Sequence, residues 1–185
     1  MKLPLCLAAI ASSFILAEAA PSDDMENLRT SCENAASVLN ASLNSTAAMD
    51  TAGLVQNITW QLGASRANLA FMNTTSTTNG TSNTTNSLNS PYFDYVHSIY
   101  TFSEAVMRRG RIYHLEMNLP VYNSLKGLAI GVQAYGMQLR AAGMISPHAT
   151  IRTFTAGSSI VDAESVWANN ANFPGRLKRH VRLRR

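Results

Sequence analysis

The residues best suited to catalysis or metal binding are scattered along this sequence. None of the four histidines has a second histidine, cysteine or carboxylate partner at metal-ligand spacing; they are His97, His114, His148 and His180. A Gly-x-Ser-x-Gly nucleophile motif is absent, and no predicted strand precedes a glycine cluster that would cradle a phosphate. The sequence therefore predicts no catalytic residue, no metal site and no cofactor, and we do not expect an enzyme.

A different chemistry, asparagine-linked glycosylation, has a clear signal. Six N-x-[ST] acceptor sequences occur, and all of them lie in the first half of the chain: Asn40, Asn44, Asn57, Asn73, Asn79 and Asn83. Sugar attached there would be bulky and would have to face solvent. The acceptors predict a glycoprotein that passes through a eukaryotic secretory pathway.

The N-terminus agrees with that compartment. Lys2, the apolar run 3–16 and the small-residue exit Ala17-Glu18-Ala19 have the features of a signal peptide. The apolar run is too short for a membrane-spanning helix, which needs about 20 apolar residues, and charged residues interrupt the longest later apolar segment, 119–145. We expect a signal peptide over 1–19, no transmembrane segment, and a protein that is secreted to the extracellular space or the cell wall.

The net charge of +4 is concentrated at the C-terminus. The segment 176–185 holds six of the fifteen Lys and Arg residues and no acid: Arg176, Lys178, Arg179, Arg182, Arg184 and Arg185. In a secreted protein this tail predicts contact with an anionic glycan or an anionic membrane surface, and not with nucleic acid. Two other interpretations remain open, a dibasic cleavage site at Lys178-Arg179 and a solvated end without a partner.

Cys32 is the only cysteine that remains once the signal peptide, which contains Cys6, is removed. No intrachain disulfide can then form, so stability must come from helix packing, sugar or a ligand. Its position on a helical stripe with Leu28 and Leu39 favours a small core residue. An interchain bridge is the alternative.

Helical spacing of apolar residues recurs in five segments, and no segment shows the alternation typical of strands. The prediction is an all-α, up-and-down bundle of about five helices over residues 20–175. The helices are expected at about 24–48, 51–72, 91–119, 120–144 and 147–170. An Asn/Ser/Thr-rich linker, 73–90, separates the second from the third. Asp23 with Glu26 predicts a capping box, and Ser90-Pro91 and Ser146-Pro147 each predict a helix start.

Two features of the predicted helices bear on binding. On helix two, one apolar stripe contains Leu54, Ile58, Leu62, Leu69 and Met72. A second apolar line lies roughly opposite, on the same side as the acceptor Asn57, and contains Trp60, Ala64, Ala67 and Phe71. Either Asn57 carries no sugar and the helix is central, or Trp60 and Phe71 are partly exposed, and we favour the buried interpretation.

The other feature is on helix four, where Gly127 and Gly131 lie one turn apart. Glycine costs about 1 kcal/mol relative to alanine in a helix interior, so the pair predicts either close helix packing or a cavity. We favour packing.

Several of these features occur together in one known family. A signal peptide, a cysteine-poor helical domain rich in Ser, Thr and Asn, and a Gly- and Ala-rich helix followed by Ser146-Pro147 and a last helix ending near Trp167 make this chain similar to the fungal hydrophobic surface-binding protein and cell-wall galactomannoprotein family. Members are small secreted helical proteins that adsorb to hydrophobic surfaces, and some hold fatty acids inside a bundle. The resemblance implies those properties here. The linker and the basic tail depart from the family, so no ligand-contacting residue is transferred.

The resulting hypothesis is a secreted, N-glycosylated helical protein that binds a fatty acid, another lipid or a hydrophobic surface. The residues selected for that role lie on helices two to four and would equally suit a plain core: Trp60, Phe71, Tyr92, Tyr95, Ile99, Phe102, Leu128 and Val132. The alternative is a secreted effector or structural wall protein that acts through its basic tail and glycans, without a small-molecule ligand.

Overall fold

The computed structural model describes residues 20–44, 49–75, 87–112 and 116–168. These residues form five α-helices and no strand, which confirms the predicted all-α bundle of five helices. The helices are α1 (Pro21–Ala41), α2 (Thr51–Thr75), α3 (Asn89–Arg111), α4 (Asn118–Ala141) and α5 (Pro147–Ala168). Within the described ranges, no helix is long and apolar enough to cross a membrane.

The ends of α1 differ from the prediction. No side chain caps its N-terminus, where Pro21 occupies the first turn, and the predicted capping box is wrong because the Glu26 carboxylate instead pairs with Arg29. Proline at the start of a helix costs little, since the first amides have no helical partner. The helix ends at Ala41 and not near residue 48, and the Ser42 hydroxyl donates to the Leu39 carbonyl at 2.7 Å.

Of the two helix starts predicted at Ser-Pro, the one at the start of α5 is confirmed and the one at the start of α3 is wrong. The Ser146 hydroxyl accepts the Ala149 amide at 3.1 Å, so Ser146 caps α5 as predicted. α3 instead begins at Asn89, before Ser90-Pro91, and the Asn89 side chain accepts the Ser146 amide at 2.8 Å. That contact joins the starts of α3 and α5.

Two further boundaries correct the prediction. The backbone of α2 is helical to Thr75, so the linker does not begin at residue 73, and residues 76–86 lie outside the described part. α3 ends at Arg111 and not just before Pro120, which belongs to the first turn of α4.

Successive helices run in opposite directions, but the closest neighbours are mostly helices two apart in sequence. Around the bundle the order is α1, α3, α5, α4 and α2, and α2 closes the ring with a less extensive contact to α1. Side chains link matching ends of α3 and α5, where the Trp167 indole donates to the Val106 carbonyl at 3.0 Å. α2 and α4 are linked in the same parallel sense, with Arg66 donating to Gln138 at 3.1 Å.

The contact between α2 and α4 explains one of the two glycines. A Cβ atom added to Gly131 would lie 2.9 Å from Leu62 Cδ2, so Gly131 lets the two helices approach closely, as the packing interpretation predicts. A Cβ atom on Gly127 would make only an ordinary 3.7 Å contact with Thr59. Gly127 instead lines an open groove beside Trp60.

A buried ion pair joins four segments at the end of the bundle where α3 meets α4. The Arg109 Nε atom donates to Glu116 Oε1 at 2.9 Å, and both side chains are almost completely buried. Arg109 also donates to the Ser42 carbonyl after α1, and Glu116 Oε2 accepts the Thr51 amide at the start of α2. The pair therefore holds the ends of α1, α2 and α3 to the segment that precedes α4.

Candidate apolar binding surface

Helix α2 carries an exposed apolar face, and the preferred interpretation from sequence, in which Trp60 and Phe71 are buried, is wrong. Trp60 is 77% exposed and Phe71 is 62% exposed. The reason is the position of α2 in the ring. It uses its opposite side, where Ile58, Leu62 and Leu69 are buried, to pack against its neighbours, and its outer side is exposed.

From Trp60 onward, the exposed residues form one continuous line, which we call the α2 outer face: Trp60, Gly63, Ala64, Ala67, Ala70 and Phe71. Arg66 is the single charged residue of α2, and its side chain turns toward α4, where it donates to Gln138. The outer face is therefore free of charge over its whole length. A surface helix normally carries charged or polar residues on its solvent side, so this composition points to a contact surface.

Shallow grooves flank Trp60 on both sides. The groove toward α4 has a volume of about 810 Å³ and is lined by small and uncharged polar residues, including Gly63, Asn123 and Gly127. The groove toward α1 has a volume of about 430 Å³ and includes Asp24. Since neither groove is closed, Trp60 stands as a ridge between them.

The acceptor asparagines that the structure describes are exposed. Asn40 on α1 and Asn44, which follows α1, are exposed, whereas Leu28 and Leu39 of α1 are buried. Asn57 is exposed one turn before Trp60, so an accessible acceptor and an exposed tryptophan occur side by side. The side chain of Asn73, and the whole of Asn79 and Asn83, lie outside the described residues.

The remaining six residues selected from sequence lie together in the core. Each is fully buried: Tyr92, Tyr95, Ile99, Phe102, Leu128 and Val132. Tyr95 packs edge-on against Tyr135 with ring centroids 6.0 Å apart, and the Tyr92 hydroxyl shares a hydrogen bond with Thr153. None of the six lines any of the grooves described here. They form a closely packed interior, in contrast to the open surface at Trp60.

Burial also determines the chemistry of the one cysteine in the described residues. Cys32 is fully buried, which supports the core assignment and leaves the folded chain no accessible thiol for an interchain bridge at this position. Burial raises the pKa of the Cys32 thiol from 9.0 to about 12. Burial likewise raises the pKa of Tyr92, Tyr95 and Tyr135.

We expect the Cys32 thiol of the native protein to be inert to a thiol reagent at pH 8 and to react once the chain is unfolded. Because its folded-state pKa is raised, the neutral thiol stabilises the fold fully below pH 9, and this contribution is lost as the pH rises toward 12. The measurement is reagent uptake with and without denaturant, followed by unfolding at pH 8 and pH 10.5. Cys32→Ala should lose less stability than the parent between those pH values, and an equal loss would contradict the assignment.

Metal binding and the basic tail give no candidate site among the described residues. Among the described residues, no group of three or more His, Cys, Asp or Glu side chains is placed to hold a metal ion. All six basic residues of the C-terminal tail lie outside the described part of the chain. The Arg109–Glu116 pair was not predicted from sequence, because its partners are seven residues apart across the end of a helix.

Comparison with protein-family models, curated proteins and solved structures finds no match to this chain, so the resemblance to the fungal surface-binding family stays a prediction.

Proposed function

We propose that this protein is a secreted, N-glycosylated helical protein that binds a hydrophobic surface or the apolar layer of a lipid assembly through the α2 outer face. The observation that carries the proposal is the exposure of Trp60 and Phe71 on a helix side without charge. Burial of a large aromatic side chain is favourable, and a side chain left in water forgoes that gain. The exposure of two such side chains on one side of a helix therefore supports a role in contact.

The energetics favour contact by this face. Removing a side chain such as Phe71 from water contributes about 1.5–3 kcal/mol, and Trp60 should contribute at least as much. No charged group has to be desolvated, which removes the largest cost of apolar binding. α2 is also held from behind by Leu62 against Gly131, so the face is formed before contact and little ordering entropy is lost.

The same observations favour binding to an external apolar surface over binding of an acyl chain enclosed within the bundle. The selected core residues are closely packed, whereas Trp60 and Phe71 are open to solvent. An enclosed acyl chain would have to displace packed tyrosine and leucine side chains. A flat apolar surface needs no rearrangement of the core.

We expect the double variant Trp60→Ser/Phe71→Ser to adsorb to an alkyl-coated sensor at least about tenfold more weakly than the parent, because the two largest apolar contacts are lost. Both chains should carry Asn57→Gln, so that a sugar beside Trp60 does not mask the face. Tryptophan fluorescence gives a second readout. Trp167 is fully buried, so a blue shift on contact with the surface reports Trp60.

The matched control is Ile130→Ser/Met137→Ser, which removes two side chains from α4 that are each 68% exposed. This variant should adsorb like the parent. Equal loss in both double variants would indicate nonspecific adsorption, and loss only in the α4 variant would place the contact on α4; either outcome contradicts the proposal.

A further inference from the structure

A separate groove lies between α3 and α5, across the ring from α2. Its volume is about 550 Å³, which falls in the range of about 300–1,000 Å³ typical of small-molecule sites. Its inner wall includes Val96 and Ala156, both buried. Unlike the α2 outer face, this groove has charge as well as apolar surface.

Four of the residues that line the groove present aromatic rings. Phe93 of α3 meets His148 of α5 edge to face, with ring centroids 6.5 Å apart and planes at 74°. His97 and Tyr100 stack on α3, also with centroids 6.5 Å apart and with planes at 19°. A planar aromatic ligand can pack against such rings in the offset or edge-on arrangements that aromatic pairs prefer. A straight acyl chain offers no ring face to match them.

The charge in the groove has one sign. Arg152 is exposed at the groove and, within the described residues, forms no ion pair. No carboxylate occurs in the described lining. A guanidinium group matches the geometry of a carboxylate and binds it with two parallel hydrogen bonds. The groove is therefore complementary to an anion attached to an aromatic body.

We propose that the α3–α5 groove binds a small aromatic carboxylate, with its ring packed against the ring-bearing lining and its carboxylate on Arg152. This site is distinct from the surface contact proposed for α2 and does not depend on it. The bound molecule would be held by the helices and would not enter the packed core.

The probe is 2-naphthoate, titrated into the full secreted chain by isothermal calorimetry. We expect one binding site, and we expect Arg152→Gln to weaken binding about tenfold or more, because a hydrogen-bonded charge pair is lost. Thr155→Trp should abolish measurable binding by filling the groove. The matched controls are Arg140→Gln, an exposed arginine on α4, and Ser158→Trp, an exposed position on α5 outside the groove lining; both should bind like the parent.

Each of the following results would overturn the proposal. They are no binding by the parent at millimolar probe, unchanged affinity in Arg152→Gln and Thr155→Trp, and equal affinity for the uncharged 2-naphthalenemethanol. Tighter binding of decanoate than of 2-naphthoate would assign the groove to acyl chains and would also refute it. Thermal unfolding by circular dichroism verifies that each variant is folded. Trp60→Ser/Phe71→Ser should bind 2-naphthoate normally, which separates this test from that of the α2 outer face.

Discussion

Replacing Glu116 by alanine is expected to lower the free energy of unfolding by about 3–5 kcal/mol, because the Arg109 guanidinium would be left buried without its carboxylate. The Thr51 amide loses its acceptor in the same variant. Equilibrium denaturation of the variant and the parent measures the difference. The ends of α1, α2 and α3 meet at this pair, so amide hydrogen exchange should accelerate there first.

A double variant separates the cost of a stranded charge from the value of the pair. Arg109→Met/Glu116→Leu removes both charges and should lose less stability than the sum of the two single losses. Arg29→Ala is the exposed control, since Arg29 pairs with Glu26 and Glu33 on the surface of α1 and should matter little. Comparable losses for Arg29→Ala and Glu116→Ala would contradict this account.

The second large effect is expected at the end of α5, where Trp167→Ala should cost about 3–5 kcal/mol of unfolding free energy. Trp167 is fully buried, and its indole donates to the Val106 carbonyl at 3.0 Å. Its ring also lies against Gly110, where a Cβ atom would come within 2.7 Å of Nε1. The substitution leaves a cavity between α3 and α5, and thermal or chemical denaturation measures its cost.

The other tryptophan is a control of the same residue type. Trp60 is 77% exposed, so Trp60→Ala should change the unfolding free energy by no more than about 0.5 kcal/mol while weakening surface binding. A large loss of stability in Trp60→Ala would mean that α2 is covered in the native protein. That outcome would also remove the support for the α2 outer face.

The sequence predicted the number and type of the elements because apolar spacing is a local property. The stripe that includes Ile58, Leu62 and Leu69 identified the buried side of α2 correctly. The outer side could not be assigned from sequence, since a second apolar line is equally compatible with a central helix and with an exposed contact face. Only the order of helices around the ring distinguishes them.

Candidate sites formed by several helices were harder to predict. The α3–α5 groove combines residues about 55 positions apart, such as Phe93 and His148, and neither segment carries a recognisable motif. The Arg109–Glu116 pair crosses the break between α3 and α4, where the sequence predicted a continuous helix through residue 116. Asn89 was likewise assigned to a linker, although its side chain accepts the Ser146 amide and so joins the starts of α3 and α5.

The ring order has a consequence for synthesis of the chain. α1 makes its most extensive contact with α3, so 70 residues, from Ala41 to Arg111 (111 − 41), must follow α1 before that partner is complete. At a translation rate of about 5–20 residues per second, roughly 4–14 seconds pass between the completion of α1 and the completion of α3. Asn44 and Asn57 follow α1 and are made during this interval, so under the proposed function a glycosyltransferase would meet these two acceptors before the chain has folded. The order of helices therefore sets how long α1 lacks its main partner during synthesis, as well as how the helices pack in the folded protein.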